Sequence, residues 1–254
     1  MKKYVFIGAY DKTDMLIYVA KILTLMEKKV ILVDTTVLKK SRYVVPTMVN
    51  EKQYITSYEN IDVAIGFDSF QAIQQYQREN FGTETEYDIV LFDIDRAIAY
   101  QRFGITNNDM HFFVTSFDIY CLKRGLQILA YIAKDVKVEK VYFSREMLLE
   151  EDEYLNYLAK DYTIKWNKKD IIFFPFSTED MDAIYTNQRA KRIQIKGLSS
   201  VYIDSLLYLV EKITGEGNGK VRKAFKTSII VFPCGSVLHF KALWFRGKKD
   251  CLLQ

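Results

Sequence analysis

Short runs of β-branched and aromatic residues alternate along the chain with longer stretches in which apolar side chains return every three or four positions. That alternation is the pattern of βα units, and the near-continuous apolar runs suit a parallel sheet covered on both faces. Strands are predicted at Tyr4–Ile7, Val30–Val33, Val63–Ile65, Ile89–Phe92, His111–Thr115, Lys140–Phe143 and Ile171–Phe174. The first helix is predicted over Thr13–Lys28, where Leu16, Ile17, Ala20, Leu23 and Leu25 form one face. Others follow at Ser69–Glu79, Tyr120–Lys134, Leu148–Lys160, Glu179–Arg189 and Ser199–Ile213. The fold class expected is therefore α/β: a doubly wound, mainly parallel sheet of about seven strands in a three-layer arrangement. Thr35–Asn60 contains Pro46 and has no clear period, so it is either a functional loop or conceals a helix.

Composition narrows the classes. The 254 residues, 49% hydrophobic and 27% charged, suffice for one large α/β domain. No apolar run approaches the roughly 18 residues that a membrane-spanning helix needs. Three cysteines (Cys121, Cys234, Cys251) and two histidines (His111, His239) have no metal-like spacing, which points to a reducing, cytoplasmic setting. Charge then divides the chain. From Glu216 onward eight basic residues face two acids, so all of the +4 net charge lies in that segment. The expected organisation is residues 1–215 as the α/β domain and 216–254 as a basic, aromatic extension. There Lys220, Arg222 and Lys223, and later Lys241, Trp244, Phe245 and Arg246, interleave cations with apolar residues. That pattern suits a hairpin of Thr227–Phe232 with Ser236–Phe245, an amphipathic membrane contact, or a nucleic-acid contact.

In an open parallel sheet the ligand crevice lies beyond the carboxyl ends of the strands. After the first predicted strand, Gly8-Ala9-Tyr10-Asp11-Lys12-Thr13 runs into a helix and brings together a lysine, a hydroxyl and helix N-terminal amides. This is phosphate-binding chemistry. Asp34 closes the second strand, and Asp93 and Asp95 close the fourth, where carboxylates could hold magnesium. Plainer roles stay open: Thr13 as a helix cap, Lys12 as a solvated charge, Asp34 and Asp93 as loop caps, and Pro175 as a strand terminator.

The order of these segments resembles the MinD/ParA family of P-loop ATPases over roughly residues 3–214. Glu27-Lys28-Lys29-Val30-Ile31-Leu32-Val33-Asp34 is similar to the family's second strand, and Tyr87-Asp88-Ile89-Val90-Leu91-Phe92-Asp93 to its Walker B strand. Ile172-Phe173-Phe174-Pro175-Phe176, with Asp182 and Asn187 beyond it, looks like the adenine end of the fold. The resemblance implies phosphate contacts from Gly8, Asp11, Lys12, Thr13 and Asp14, and magnesium contacts from Thr13, Asp34 and Asp93. It places Ser144, Pro175 and Phe176 on the adenine side. It also implies ATP or ADP with magnesium as the cofactor, a homodimer across the strand-end face, a partner protein in a larger assembly, and the membrane surface or DNA as further contacts of the basic segment. The location implied is cytoplasmic, with a peripheral membrane position as the variant.

The departures are specific. Ala9 and Asp11 stand where the family has glycines, Ile7 where it has a signature lysine, Thr36 where it has a water-positioning acid, and Ser144 where an asparagine commonly meets adenine. A carboxylate in a phosphate loop repels phosphate and lacks glycine's backbone freedom. Phosphoryl transfer depends on positioning and charge stabilisation. The expectation is thus a positioning or assembly factor with eroded catalytic motifs, acting through protein contacts. The alternatives are a slow magnesium-dependent ATPase, with Asp95 positioning water, and a structural subunit without nucleotide.

Overall fold

A computed structural model describes residues 1–47, 51–132, 136–147 and 149–231, and statements of number or absence below concern these residues. In chain order the elements are β1 Lys2–Ile7, α1 Thr13–Leu25, β2 Val30–Asp34, α2 Ser41–Val44, β3 Tyr54–Tyr58, β4 Ile61–Ile65, α3 Phe70–Phe81, β5 Ile89–Ile94 and α4 Ala97–Arg102. They continue with β6 Met110–Ser116, α5 Ile119–Ile132, β7 Lys137–Ser144, α6 Leu149–Leu158, β8 Lys165–Pro175, α7 Thr178–Ala190, α8 Ser200–Thr214 and α9 Asn218–Val231.

Strand alternation builds two cores from one sheet. Tyr4, Phe6, Val30 and Leu32 point to a core shared with α1, α7, α8 and α9, whereas Val5, Ile7, Ile31 and Val33 point to a second core under α3, α4, α5 and α6. Both faces are therefore covered, as a parallel sheet requires. The strand order is β3-β4-β2-β5-β1-β6-β7-β8, and all neighbours are parallel except β3 with β4. Eight strands replace the seven expected, because β3 lies inside the stretch that has no sequence period. It pairs with β4 through Glu59 and Asn60, whose φ angles of 48° and 70° match the positive-φ turn that closes a two-residue hairpin. The same stretch also holds α2, and a further short helix, α4, was too brief for periodicity to register.

The basic extension starts as a helix, which corrects the hairpin expected from Thr227. The β-branched run at its end reads locally as strand. However, Val221 and Phe225, one helical turn apart, are buried in the core that α1 and α8 share. Tertiary burial of that face outweighs the local preference. Arg222 pairs with Asp204 at 2.8 Å and Lys220 with Glu216 at 3.1 Å. Lys241, Trp244, Phe245 and Arg246 lie outside the described residues. No described helix is long and apolar enough to cross a membrane.

One glycine matters for the architecture. Gly8 leaves β1 at φ 153°, and a Cβ there would come within 2.0 Å of the Val114 carbonyl oxygen on β6. Gly8 thus serves the close approach of two strands, whatever else the loop does. Gly8→Ala is expected to destabilise the protein by at least about 2 kcal/mol, from backbone strain and the clash together. Urea denaturation would read this as a lower midpoint with an unchanged slope, and an unchanged midpoint would refute it.

Candidate functional site

The loop between β1 and α1 closes on itself. Lys12 Nζ lies 2.9 Å from Asp93 Oδ1 at the end of β5, and donates to the Gly8 and Tyr10 carbonyls at 3.0 and 3.1 Å. The two side chains are only 1% and 3% exposed. The Asp93 contact is a Coulombic pair whose direction falls short of a hydrogen bond. Burial pushes the Asp93 carboxyl up to about 7, with Lys12 opposing the rise and Asp34 adding to it. Lys12 is therefore neither a solvated surface charge nor directed outward from the loop.

Asp11 occupies the amide end of α1. Its Oδ1 accepts from the Thr13 amide at 3.0 Å, which satisfies a donor that the first helical turn leaves open. Its other oxygen pairs with Lys40, which also lies 2.9 Å from Asp14 Oδ2, while Asp14 Oδ1 accepts from Gln188 at 2.7 Å. Burial acts to raise the Asp11 carboxyl, but hydrogen bonding and charge from Lys40, together with the Thr13 amide, hold it below its ordinary value. Burial lowers Lys40, yet the two carboxylates carry it above the usual lysine value. Thr13 is a buried first-turn residue rather than the cap; Lys12 stands at the cap position without a side-chain cap bond, and Asp11 just before it accepts the Thr13 amide.

Asp34 behaves as the loop cap that was one of its two readings. Oδ1 accepts from the Thr36 amide and hydroxyl at 3.0 and 2.6 Å, and Oδ2 accepts from the Ser41 amide at 3.1 Å, which fixes the turn into α2. Thr35 ties that turn to the Asp93 carbonyl through its amide and hydroxyl. Asp95 accepts from the Val37 amide at 2.9 Å, and Arg96 donates to the Thr35 carbonyl. The described residues contain no group of three or more acids, histidines or cysteines arranged to hold a metal ion. Ile7, expected from the resemblance at a lysine position, is fully buried in the core beneath α5.

The residues expected on the adenine side divide. Pro175 and Phe176 line a cavity of about 190 Å³ together with Tyr10, Asp11, Asp14 and Lys40. Ser144 is set behind it, paired with Pro175 across the strands and accepting the Phe176 amide through its carbonyl. Asp182 is exposed, and the buried acid of α7 is Asp180, which accepts from Ser177 and from the amide and hydroxyl of Ser199. Asn187 is buried and donates to the Tyr18 hydroxyl and the Gln194 carbonyl. Sequence reasoning missed Lys40, Tyr10, Phe143 and Tyr202. A Ser-x-x-Asp spacing at Ser177 could have singled out Asp180, but no local signal distinguishes Lys40 from its neighbours.

No family model and no curated protein matches the sequence. Solved structures do match it by shape. The MinD cell division protein of Aquifex aeolicus superposes with a TM-score of 0.54 at 13% identity, over 85% of this chain and 98% of that one. A chain of the MinC:MinD cell division protein complex of Aquifex aeolicus gives 0.53 at 14% identity, over 85% and 97%. At such identities the likeness establishes a shared fold: this chain has the mainly parallel α/β fold of these MinD structures.

The buried Lys12–Asp93 pair can be tested through its pH dependence. Since the Asp93 carboxyl rises from 3.8 towards about 7 on folding, the native state holds more protons than the unfolded state in that window. Its contribution to stability therefore falls as pH rises through the window. Lys12→Met removes the compensating cation, and is expected to cost about 3–5 kcal/mol at pH 8, where Asp93 is ionised. The cost should shrink at pH 5, where the carboxyl is protonated. Denaturation midpoints at the two pH values would show this, and an equal loss at both would contradict the pairing.

Proposed function

We propose that this chain is a MinD/ParA-type positioning or assembly factor that has kept the family scaffold and works by binding protein partners without turning over nucleotide. The observation that carries this reading is the internal use of the phosphate-loop chemistry: Lys12 is directed inward onto Asp93, and the Asp11 carboxylate holds the Thr13 amide. A magnesium nucleotide does not fit these residues as arranged. Phosphate would meet the Asp11 and Asp14 carboxylates at the mouth of the loop, whose two negative charges exceed the single positive charge of the Lys40 they share. Magnesium would need the Asp34 oxygens that hold Thr36 and Ser41. Position 7 carries a buried isoleucine in place of a cation that could reach a second copy.

The strand-end face supports the binding half of the proposal. Leu38 and Val37 after β2 are 81% and 60% exposed, Ile98 after the adjacent β5 is exposed, and Ile119 and Tyr120 are exposed after β6, which β1 separates from β5. Exposed apolar side chains gathered on one face favour a protein contact there. A homodimer across this face is the arrangement the family resemblance implies. Contact with lipid or nucleic acid through α9 is less favoured, since Lys220 and Arg222 are already paired with acids of the same chain.

Titration calorimetry of the full chain with Mg-ATP and Mg-ADP, with light scattering on the same samples, tests the reading. No saturable heat at millimolar nucleotide and an unchanged mass are expected. Saturable binding that moves the mass to a dimer would overturn it in favour of a nucleotide switch.

A further inference from the structure

The cavity beside the loop differs from an anion site in both lining and size. Tyr10 stacks on Phe143 with ring centroids 4.6 Å apart, and Phe176 lies across both at 6.0 and 6.2 Å. At the mouth, Phe176, Met181 and Tyr185 keep 38%, 36% and 43% of their surface exposed. Three carboxylates line the cavity, those of Asp11, Asp14 and Asp180, against the single ammonium of Lys40. Burial first raises the Tyr10 and Tyr202 hydroxyls, with Asp11 and Asp14 adding to the rise at Tyr10 and Asp14 and Asp180 at Tyr202. At about 190 Å³ the cavity falls below the roughly 300–1,000 Å³ of a cofactor or drug-sized site. It suits a single inserted side chain.

We propose that this aromatic, acid-rimmed cup receives an arginine side chain from a partner protein. A guanidinium is planar and weakly hydrated, stacks on aromatic faces and pairs with carboxylates, so both kinds of wall favour it. Phosphate-bearing ligands are disfavoured by the same carboxylates. Lys40 sets the affinity, because an incoming guanidinium must share Asp11 and Asp14 with it. The inference rests on the reading of the chain as a partner-binding scaffold and names the chemistry of one anchor.

The test uses the full chain with labelled methionine and isoleucine methyl groups, titrated with N-acetyl-arginine amide and, in parallel, with its neutral isostere N-acetyl-citrulline amide. Saturable shifts at the methyls of Met15, Met181 and Ile184 are expected with the arginine probe in the millimolar range, and not with citrulline. Lys40→Gln frees two carboxylates and should tighten the arginine probe, while Asp14→Asn should weaken it, each by about two- to fivefold. Equal responses to the two probes, or no response to either, would overturn the proposal, as would a loss of affinity in Lys40→Gln. A stronger response to free arginine than to the amide would assign the cup to a small molecule and overturn the partner reading. None of these outcomes alters the nucleotide titration, so failure here and failure of the scaffold reading are told apart.

Discussion

The ion pair between Lys12 and Asp93 is the contact on which the rest of the crevice depends. A lysine and an aspartate are almost never fully buried unless paired, so this pair commits two elements to each other: the residue that opens α1 and the end of β5 beside β1. The amine also gathers the carbonyls of Gly8 and Tyr10, which winds the loop tightly around its own lysine. Tyr10 then stacks on Phe143, and Asp11 is left at the amide end of α1.

A second consequence follows from charge. With Asp11 on the Thr13 amide, the positive end of α1 is compensated from inside the chain, and the long connection after β2 supplies Lys40 to pair with Asp11 and Asp14. The turn after β2 is in turn held by Asp34 and by Thr35 on the Asp93 carbonyl. The loops after β1, β2 and β5 are joined to one another by carboxylates, a lysine and backbone amides.

The two sides of the crevice therefore differ in kind. The loop side is polar and closed by ion pairs and hydrogen bonds within the chain, whereas the β7–β8 side is aromatic and open, with Phe176 and Tyr185 reaching solvent. Binding energy is more available on the open side. Aromatic side chains offer large contact area with few rotatable bonds, and the groups nearby that carry charge are mostly negative.

Much of the framework was legible from sequence because sheet burial leaves a direct trace. Apolar runs such as Val30–Val33 and Ile89–Phe92 must be covered on both faces, and helices of three turns or more betray their buried stripe, so the α/β class and strands β1, β2 and β4 to β8 emerged. Asp34 and Asp93 could be placed at strand ends by order along the chain, and Pro175 and Phe176 beside the crevice through the family resemblance. Tertiary structure alone decided the rest. Strand β3 depends on a hairpin partner, and α9 on a core formed by α1 and α8; neither has a local pattern strong enough to declare it. The direction of the Lys12 side chain, and the pairing of Lys40 with Asp11 and Asp14 across more than twenty residues of chain, depend on which carboxylates the fold brings within a few ångströms. Coulombic and hydrogen-bonded partners are set by distance in space, and sequence order determines that distance only once the chain has folded.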